Sequence, residues 1–361
     1  MSDELQLLDQ TLHAIFTKHF DRDARIAAGQ DLPRNLWAVL ESSGLTTLGD
    51  IDNGAGLAEL IVLARAVGRA AVPVPLVETA GLAAWLVTSS GLRLPAGITT
   101  CAATHPNDNL EAVQSGNSWV VSGVLHRVPY GRDADYVTAL ADGADPTVVV
   151  VLPVHDVTQR STNLGGEPRD TLQFDGVVLP SNAVGVAAVD HAAMRRRGAL
   201  LRSASMAGAM DSVLDMSLAY ADEREQFGKV IASFQAVQHH LAAIAEEAMC
   251  AGMAVQLAAA ATTDQEGFAI AAAKSTAGSS ARVVTKRAHQ VHAAIGVTQE
   301  HSLPWFTKRL WAWQDEFGTT QHWASQLGRE VIAGGGANLW PTISETVGTH
   351  AEDRSGARDL V

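Results

Sequence analysis

The chain has 361 residues, 47% apolar and only 18% charged: too long for one ordinary core, and apolar enough to fill two or three packed globular units. A formal net charge of -13 without a long Lys/Arg block excludes nucleic acid as a partner, since the run Arg195, Arg196 and Arg197 suffices only for a solvated face or helix end. Two cysteines, Cys101 and Cys250, exclude a disulfide framework, and with neither a signal peptide nor about 20 uninterrupted apolar residues the reading is a cytoplasmic protein without a membrane partner.

Helical periodicity dominates from Glu4 to about Leu92. Leu7, Leu8, Leu12, Ile15 and Phe16 share one face, and Leu57, Leu60, Ile61, Leu63, Ala64 and Val67 repeat the pattern. Turn signals at 50–56 and the prolines of VPVP at 72–75 break this N-terminal helical domain, 1–93. From 94 to 189 short β-rich runs follow one another without intervening helices: SWVVSGV, ADYVTALA, TVVVVLPV and TLQFDGVVLP. That spacing predicts an antiparallel sheet or small barrel, because a Rossmann unit would alternate strand with helix. Helices return at 190–347. Phe234, Val237, Leu241, Ile244, Ala248, Ala251, Val255 and Ala258 step by threes and fours, the seam of an antiparallel four-helix bundle, with neighbours at 198–224, 266–292 and 301–333. The fold class is α+β, and the charged, Gly-containing tail at 348–361 reads as disordered.

Three features carry chemistry or its bland equivalent. In QDEFGTTQHW, 314–323, Glu316 is a solvated loop carboxylate or a general base. Arg224 ends one helix before Gly228 turns the chain, so its guanidinium either clamps a phosphate or pairs with Glu223 or Glu225 on the surface. GGGANLWP at 334–341 follows a helix and lacks a Lys-Ser/Thr pair, which makes it a helix cap and connection rather than a phosphate loop. His239 with His240, and His289 with His292, lack carboxylate or thiolate partners at ligand spacing, so no metal is expected; nor is there a G-x-S-x-G elbow.

The segment AYADEREQFGKVIASFQAVQHHLAAIAEEA, 219–248, resembles the R-x-x-F-G turn and F-Q-x-x-Q helix start of the acyl-CoA dehydrogenase family, through Arg224, Phe227, Gly228, Phe234, Gln235 and Gln238. QVHAAIGVTQEHSLPWFTKR, 290–309, is similar to the family's Q-x-x-G-G-x-G segment, with Gln290 and Gly296 in place and Ala293 and Ala294 where glycines are usual. TLQFDGVVLPSNAVG resembles the V-x-V-P exit of its β domain, and the likeness covers the whole chain in segment order. The resemblance implies an N-terminal helical domain, a middle β domain and a C-terminal bundle. It also implies FAD as cofactor, with Arg224, Phe227 and Gln290, and Gly296 beside them, at the pyrophosphate and adenosine of an FAD that belongs to the adjacent subunit.

The reaction that the family implies removes a proton alpha to a thioester and passes a hydride from the beta carbon to flavin. Many members place the carboxylate base before the Gly of a Y-E-G-T loop; ungapped alignment through Gly296 and Glu300 puts Phe317 there, with Glu316 one residue early. Others place it on the first bundle helix, which falls at about Gly198, and no carboxylate lies between Asp190 and Asp211. The family's T-E-P-G-x-G-S-D loop and W-I-T-N strand correspond to CAATHPNDNLEA and LHRVPYGRDADY, where Arg127, Pro129 and Tyr130 replace the flavin-facing residues. The pattern resembles one partner of the heteromeric acyl-CoA dehydrogenases of actinobacterial steroid catabolism. The expected role is therefore a base-lacking subunit that joins a second acyl-CoA dehydrogenase-like chain in a heterotetramer acting on a bulky, steroid-derived acyl-CoA. Two alternatives stay open: a self-sufficient homo-oligomeric dehydrogenase that uses Glu316, and a non-catalytic structural or acyl-CoA-binding subunit.

Overall fold

The computed structural model describes residues 2–341 except 29, 30, 144, 156, 264 and 299; the tail at 348–361 lies outside the described residues. Helix α1 (Asp3–His19) starts where Ser2 accepts the Leu5 amide, and its apolar stripe buries Leu12 and Phe16. After α2 (Arg22–Ala28), α3 (Arg34–Ser42) buries Leu36, Trp37 and Leu40. Helix α4 (Leu57–Ala70) is capped by Glu59, which accepts the Gly56 amide at 2.8 Å, and it stops at Ala71 ahead of the two prolines. A widened helical segment, Val77–Ala83, then runs into α5 (Ala84–Ser89) and is buried throughout, Glu78 included.

The middle strands are β1 (Thr99–Cys101), β2 (Glu111–Ser115), β3 (Ser118–Pro129), β4 (Tyr136–Ala141), β5 (Val148–Pro153), β6 (Val157–Gln159), β7 (Arg169–Pro180) and β8 (Val184–Val186). They form two four-stranded sheets, ordered β1-β4-β5-β8 and β2-β3-β7-β6. The expected antiparallel arrangement holds for every pair but one, since β1 runs parallel to β4. Strand β5 explains its own unbroken apolar sequence. Val148, Val150 and Leu152 face the core between the sheets, while Val149 joins the helical core on the other side.

The bundle consists of α6 (His191–Glu223), α7 (Gln235–Ala260), α8 (Glu266–His292), α9 (Leu303–Trp313) and α10 (Thr320–Gly334). The single helix expected over 301–333 is thus two helices, interrupted at 314–319, where Phe317 and Gly318 take φ of +55° and +99°. Helices α4 and α6 approach through Gly68 and Gly208: a Cβ on either would overlap the facing backbone, at Ser205 or Arg65. Arg65–Asp211 and Arg69–Asp215, both 2.8 Å, fasten that crossing. Between α6 and α7 the chain makes a hairpin of β9 (Glu225–Gln226) and β10 (Lys229–Val230). By length and composition α7 could cross a membrane, which the sequence reading did not expect. Its buried residues are the seam Leu241, Ile244, Ala248, Ala251, Val255 and Ala258, while Met249, Cys250 and Met253 lie exposed on the opposite side.

Candidate active-site cleft and cofactor hairpin

Where the loop before β2, the end of β3 and the break between α9 and α10 converge, they enclose a cleft of about 510 Å³. Its walls include His105, Arg127, Pro129, Arg169, Arg195 and Phe317. Phe317 sits in the left-handed region, with only 7% of its surface exposed. Its carbonyl accepts the Trp323 indole N–H at 3.0 Å, and its ring lies against Gly198 of α6 so closely that a Cβ there would overlap it. The Arg202 guanidinium stands 5.9 Å from the same ring. The two positions that the sequence comparison marked for a base, one on the loop and one on the first bundle helix, are therefore neighbours. One is an aromatic ring and the other bare backbone.

Glu316 also lines the cleft, but its carboxylate is already engaged. Its Oε1 takes Arg169 at 2.7 Å and the Asn163 amide at 3.1 Å, and Oε2 lies 3.0 Å from Arg202 Nε. Burial pushes its carboxyl up, but Arg169 and Arg202 outweigh that and hold it below the usual carboxylate range. The same network continues inward. Arg202 pairs with buried Glu78 at 2.6 Å, and Glu167 meets Arg169 at 3.1 Å, Arg309 at 3.2 Å and the Trp313 indole at 2.8 Å. Burial raises the Glu167 carboxyl less than the three arginines lower it, leaving it at about 2. Three carboxylates and three guanidiniums thus tie the N-terminal helices, the β sheets and the bundle together, with Arg169 and Glu316 at the cleft wall and the rest deeper. Lys274 closes the set. Burial lowers its ammonium to about 7, and Nζ donates to the Trp313 carbonyl at 2.6 Å, which pins the chain entering the loop.

Sequence reasoning named Glu316 and Phe317 but missed Glu78, Glu167, Arg169, Arg202 and Arg309. For Glu78 and Arg202 the only signal was a lone charge inside an apolar run, VPLVETAGLAAWL and GALLRSAS; Glu167 and Arg169 in GGEPRD and Arg309 beside Lys308 carried none.

The other candidates lie at the outer end of the bundle. Arg224 caps α6 and is exposed; the surface ion pair with Glu223 or Glu225 is absent, and its side chain has no partner among the described residues. Phe227 projects from the β9–β10 hairpin with 93% exposure and φ of +53°, its ring edge-on to Phe234 at 6.1 Å. An exposed aromatic held in a strained conformation, beside an unpaired guanidinium, makes a platform and a clamp for a planar or phosphorylated group. Gln290 is exposed near the end of α8, whereas Gly296 is buried against His292 and Leu303, so its part is close packing of the turn.

A family sequence model, described as acyl-CoA dehydrogenase, C-terminal domain, matches residues 185–332. The chain is 28% identical over 340 residues to acyl-CoA dehydrogenase IpdE2 of Mycolicibacterium smegmatis, covering 92% of this chain and all of that one. Among solved structures, the ChsE4-ChsE5 complex from Mycobacterium tuberculosis superposes with a TM-score of 0.83 at 21% identity, over 91% of this chain and 97% of the other. The Tcur3481-Tcur3483 steroid ACAD G363A variant gives 0.75 at 23% identity, over 93% and 99%.

The chain is similar to acyl-CoA dehydrogenases over nearly its whole length, and its residues 185–332 match that family's C-terminal domain.

FAD is the cofactor that this likeness implies, and the chain offers two surfaces against which the ends of an FAD can be compared. The hairpin fits the diphosphate and adenosine end, for the unpaired Arg224 and the bare ring of Phe227 are both turned outward. The cleft does not fit the isoalloxazine end of an acyl-CoA dehydrogenase flavin. Asp108 already consumes backbone donors of the loop and strand, accepting the His105 amide at 2.8 Å and the His126 amide at 2.7 Å. Strand β3 is out of register between Leu125 and Val128, Arg127 takes φ of +53°, and Pro129 has no N–H to offer.

Proposed function

We propose that this acyl-CoA dehydrogenase chain is the base-lacking subunit of a heteromeric enzyme, and that its Arg224, Phe227 and Gln290 serve an FAD whose ring and catalytic base reside in a second, related chain. The observation that carries this reading is the Phe317 ring packed on Gly198, which fills both places where the family carries its base. A carboxylate is needed there to take the alpha proton, and Phe317 offers neither charge nor hydrogen bond. Glu316 is held by two guanidiniums on a loop fixed at Trp313, Phe317 and Thr319, so it does not replace it.

FAD, when bound, accepts the hydride that leaves the beta carbon. The residues of this chain have binding and positioning roles in that chemistry. Arg224 neutralises diphosphate charge, Phe227 covers the neighbouring planar surface, and Gln290 supplies a side-chain amide. A partner is further supported by exposed apolar residues on the hairpin (Phe227), on α7 (Met249 and Met253) and in the turn after α8 (Ile295 and Val297). Two structural relatives are two-chain assemblies, one of them named a steroid ACAD, and they support a heterotetramer and a bulky, steroid-derived acyl-CoA substrate. A cytoplasmic location follows from the same reading, as does a division into units at 1–93, 94–189 and 190–347.

The test is co-expression with the related acyl-CoA dehydrogenase chain encoded nearest to it. Arg224→Ala with Phe227→Ala in this chain should strip flavin from the complex by at least about tenfold without changing its assembly, the size of effect expected for a lost charge-assisted clamp. Full flavin retention in that variant complex would overturn the reading.

A further inference from the structure

The cleft wall carries a cluster that the dehydrogenase reading does not use. His105, Asp108 and His126 bring one potential ligand atom each to within 4.8 Å of one another. His126 Nδ1 is buried and stands 3.4 Å from Asp108 Oδ1 without a hydrogen bond's geometry, so it is an orphaned ring nitrogen facing a carboxylate. Adjacent ligands of a tetrahedral zinc site are separated by about 3.3 Å, given metal–ligand bonds of about 2.0–2.1 Å. The Asp108–His126 pair is already at that spacing. The second ring lies 5.5 Å from the first, centroid to centroid, and tilted by 33°. Its Nδ1 lone pair is taken only by the exposed Asn107 amide at 3.2 Å, a bond that water can replace.

The backbone around the trio is organised to hold it. One Asp108 oxygen accepts the His105 amide and the other the His126 amide, so a single carboxylate locks the loop to the strand and presents both rings on one side. The out-of-register stretch of β3 turns His126 and Arg127 towards the cleft, which both line. Spacing hid the set: His105 and Asp108 are three apart, but His126 arrives from the next strand.

We propose that His105, Asp108 and His126 bind a divalent transition cation of the zinc class at the wall of the cleft. Two histidines and one carboxylate are the ligand types that such an ion selects, and three protein ligands leave a position for an oxygen donor. Because two of the ligands line the cleft, that open position faces its contents: water, or a carbonyl or carboxylate oxygen of whatever the cleft holds. The proposal is independent of whether the partner chain carries the flavin.

The full-length chain, stripped with a chelator and dialysed, is titrated with Co2+ followed by visible absorption, then with Zn2+ in competition by calorimetry. The expected result is one Co2+ per chain with the intense bands of a four- or five-coordinate site, displaced by Zn2+. His105→Ala and His126→Ala should each weaken binding by at least about tenfold. His322→Ala, which alters the same cleft outside the trio, should leave it unchanged. No uptake by the wild-type chain, or uptake that both trio variants retain, overturns the proposal. His105 is on a loop, so its variant remains informative if His126→Ala compromises β3.

Discussion

Replacing Glu316 by Gln separates a structural carboxylate from a catalytic one. The wild-type side chain holds Arg169 at 2.7 Å and Arg202 at 3.0 Å, within a set where Glu78, Glu167 and Glu316 balance Arg169, Arg202 and Arg309. Glutamine keeps the shape but leaves one guanidinium charge buried without compensation, which costs about 3–5 kcal/mol. An unfolding entropy of about 2.1 cal/mol/K per residue gives about 0.76 kcal/mol/K for a chain of this length that unfolds as one unit. The melting temperature should therefore fall by about 4–7 °C, while the turnover of the assembled complex, below that melting point, changes less than about twofold. Acid sensitivity supplies a second readout. The folded Glu316 and Glu167 carboxyls lie below their unfolded values, Glu167 at about 2, so their stabilisation is complete above the unfolded carboxylate pKa and is lost as pH falls from about 5 towards 2. Glu316→Gln should flatten part of that limb. Calorimetric melts across pH and steady-state rates on the complex decide the matter: an unchanged melting temperature with turnover abolished would refute the structural assignment.

Gly198→Ala should destabilise by about 1–3 kcal/mol, because the new methyl overlaps the Phe317 ring; Phe317→Ala in the same chain should recover most of that loss, as read by a double-mutant cycle in denaturant. Lys274, lowered by burial to about 7, binds a proton more readily in the unfolded chain, so stability should rise between pH 7 and 10 by up to about 1.4 kcal/mol per unit. Lys274→Met should abolish that rise, and melts at pH 7, 8 and 9 would show it. Phe227→Ala, made on a side chain 93% exposed, should leave the melting temperature of the lone chain within about 1 °C, since surface changes rarely exceed about 0.5 kcal/mol.

The order of helices, strands and helices was legible because each domain keeps one hydrophobic period over a long stretch. The R-x-x-F-G hairpin was legible because a turn needs its glycine locally: Gly228 takes φ of +79° beside Arg224 and Phe227. Counting from Gly296 reaches Phe317 and counting back from Arg224 reaches Gly198, and the fold brings these two residues into contact. The ion network could not be read. Glu78 and Arg202 are 124 residues apart and Asn163 and Glu316 are 153 apart, distances over which spacing carries no information. The interruption of the 301–333 segment escaped for the opposite reason. Its local pattern is helical on both sides, and what bends it is tertiary: Lys274 holding the Trp313 carbonyl and Trp323 holding that of Phe317.

The most direct measurement is the flavin content per chain, by visible spectrum normalised to protein, of this chain purified alone and of its complex with the related partner. The account requires a colourless lone chain and a yellow complex carrying less than one flavin per chain, because this chain furnishes only the outer hairpin to a cofactor seated elsewhere. One flavin per chain in the lone protein would contradict it and return Glu316 to consideration as the base.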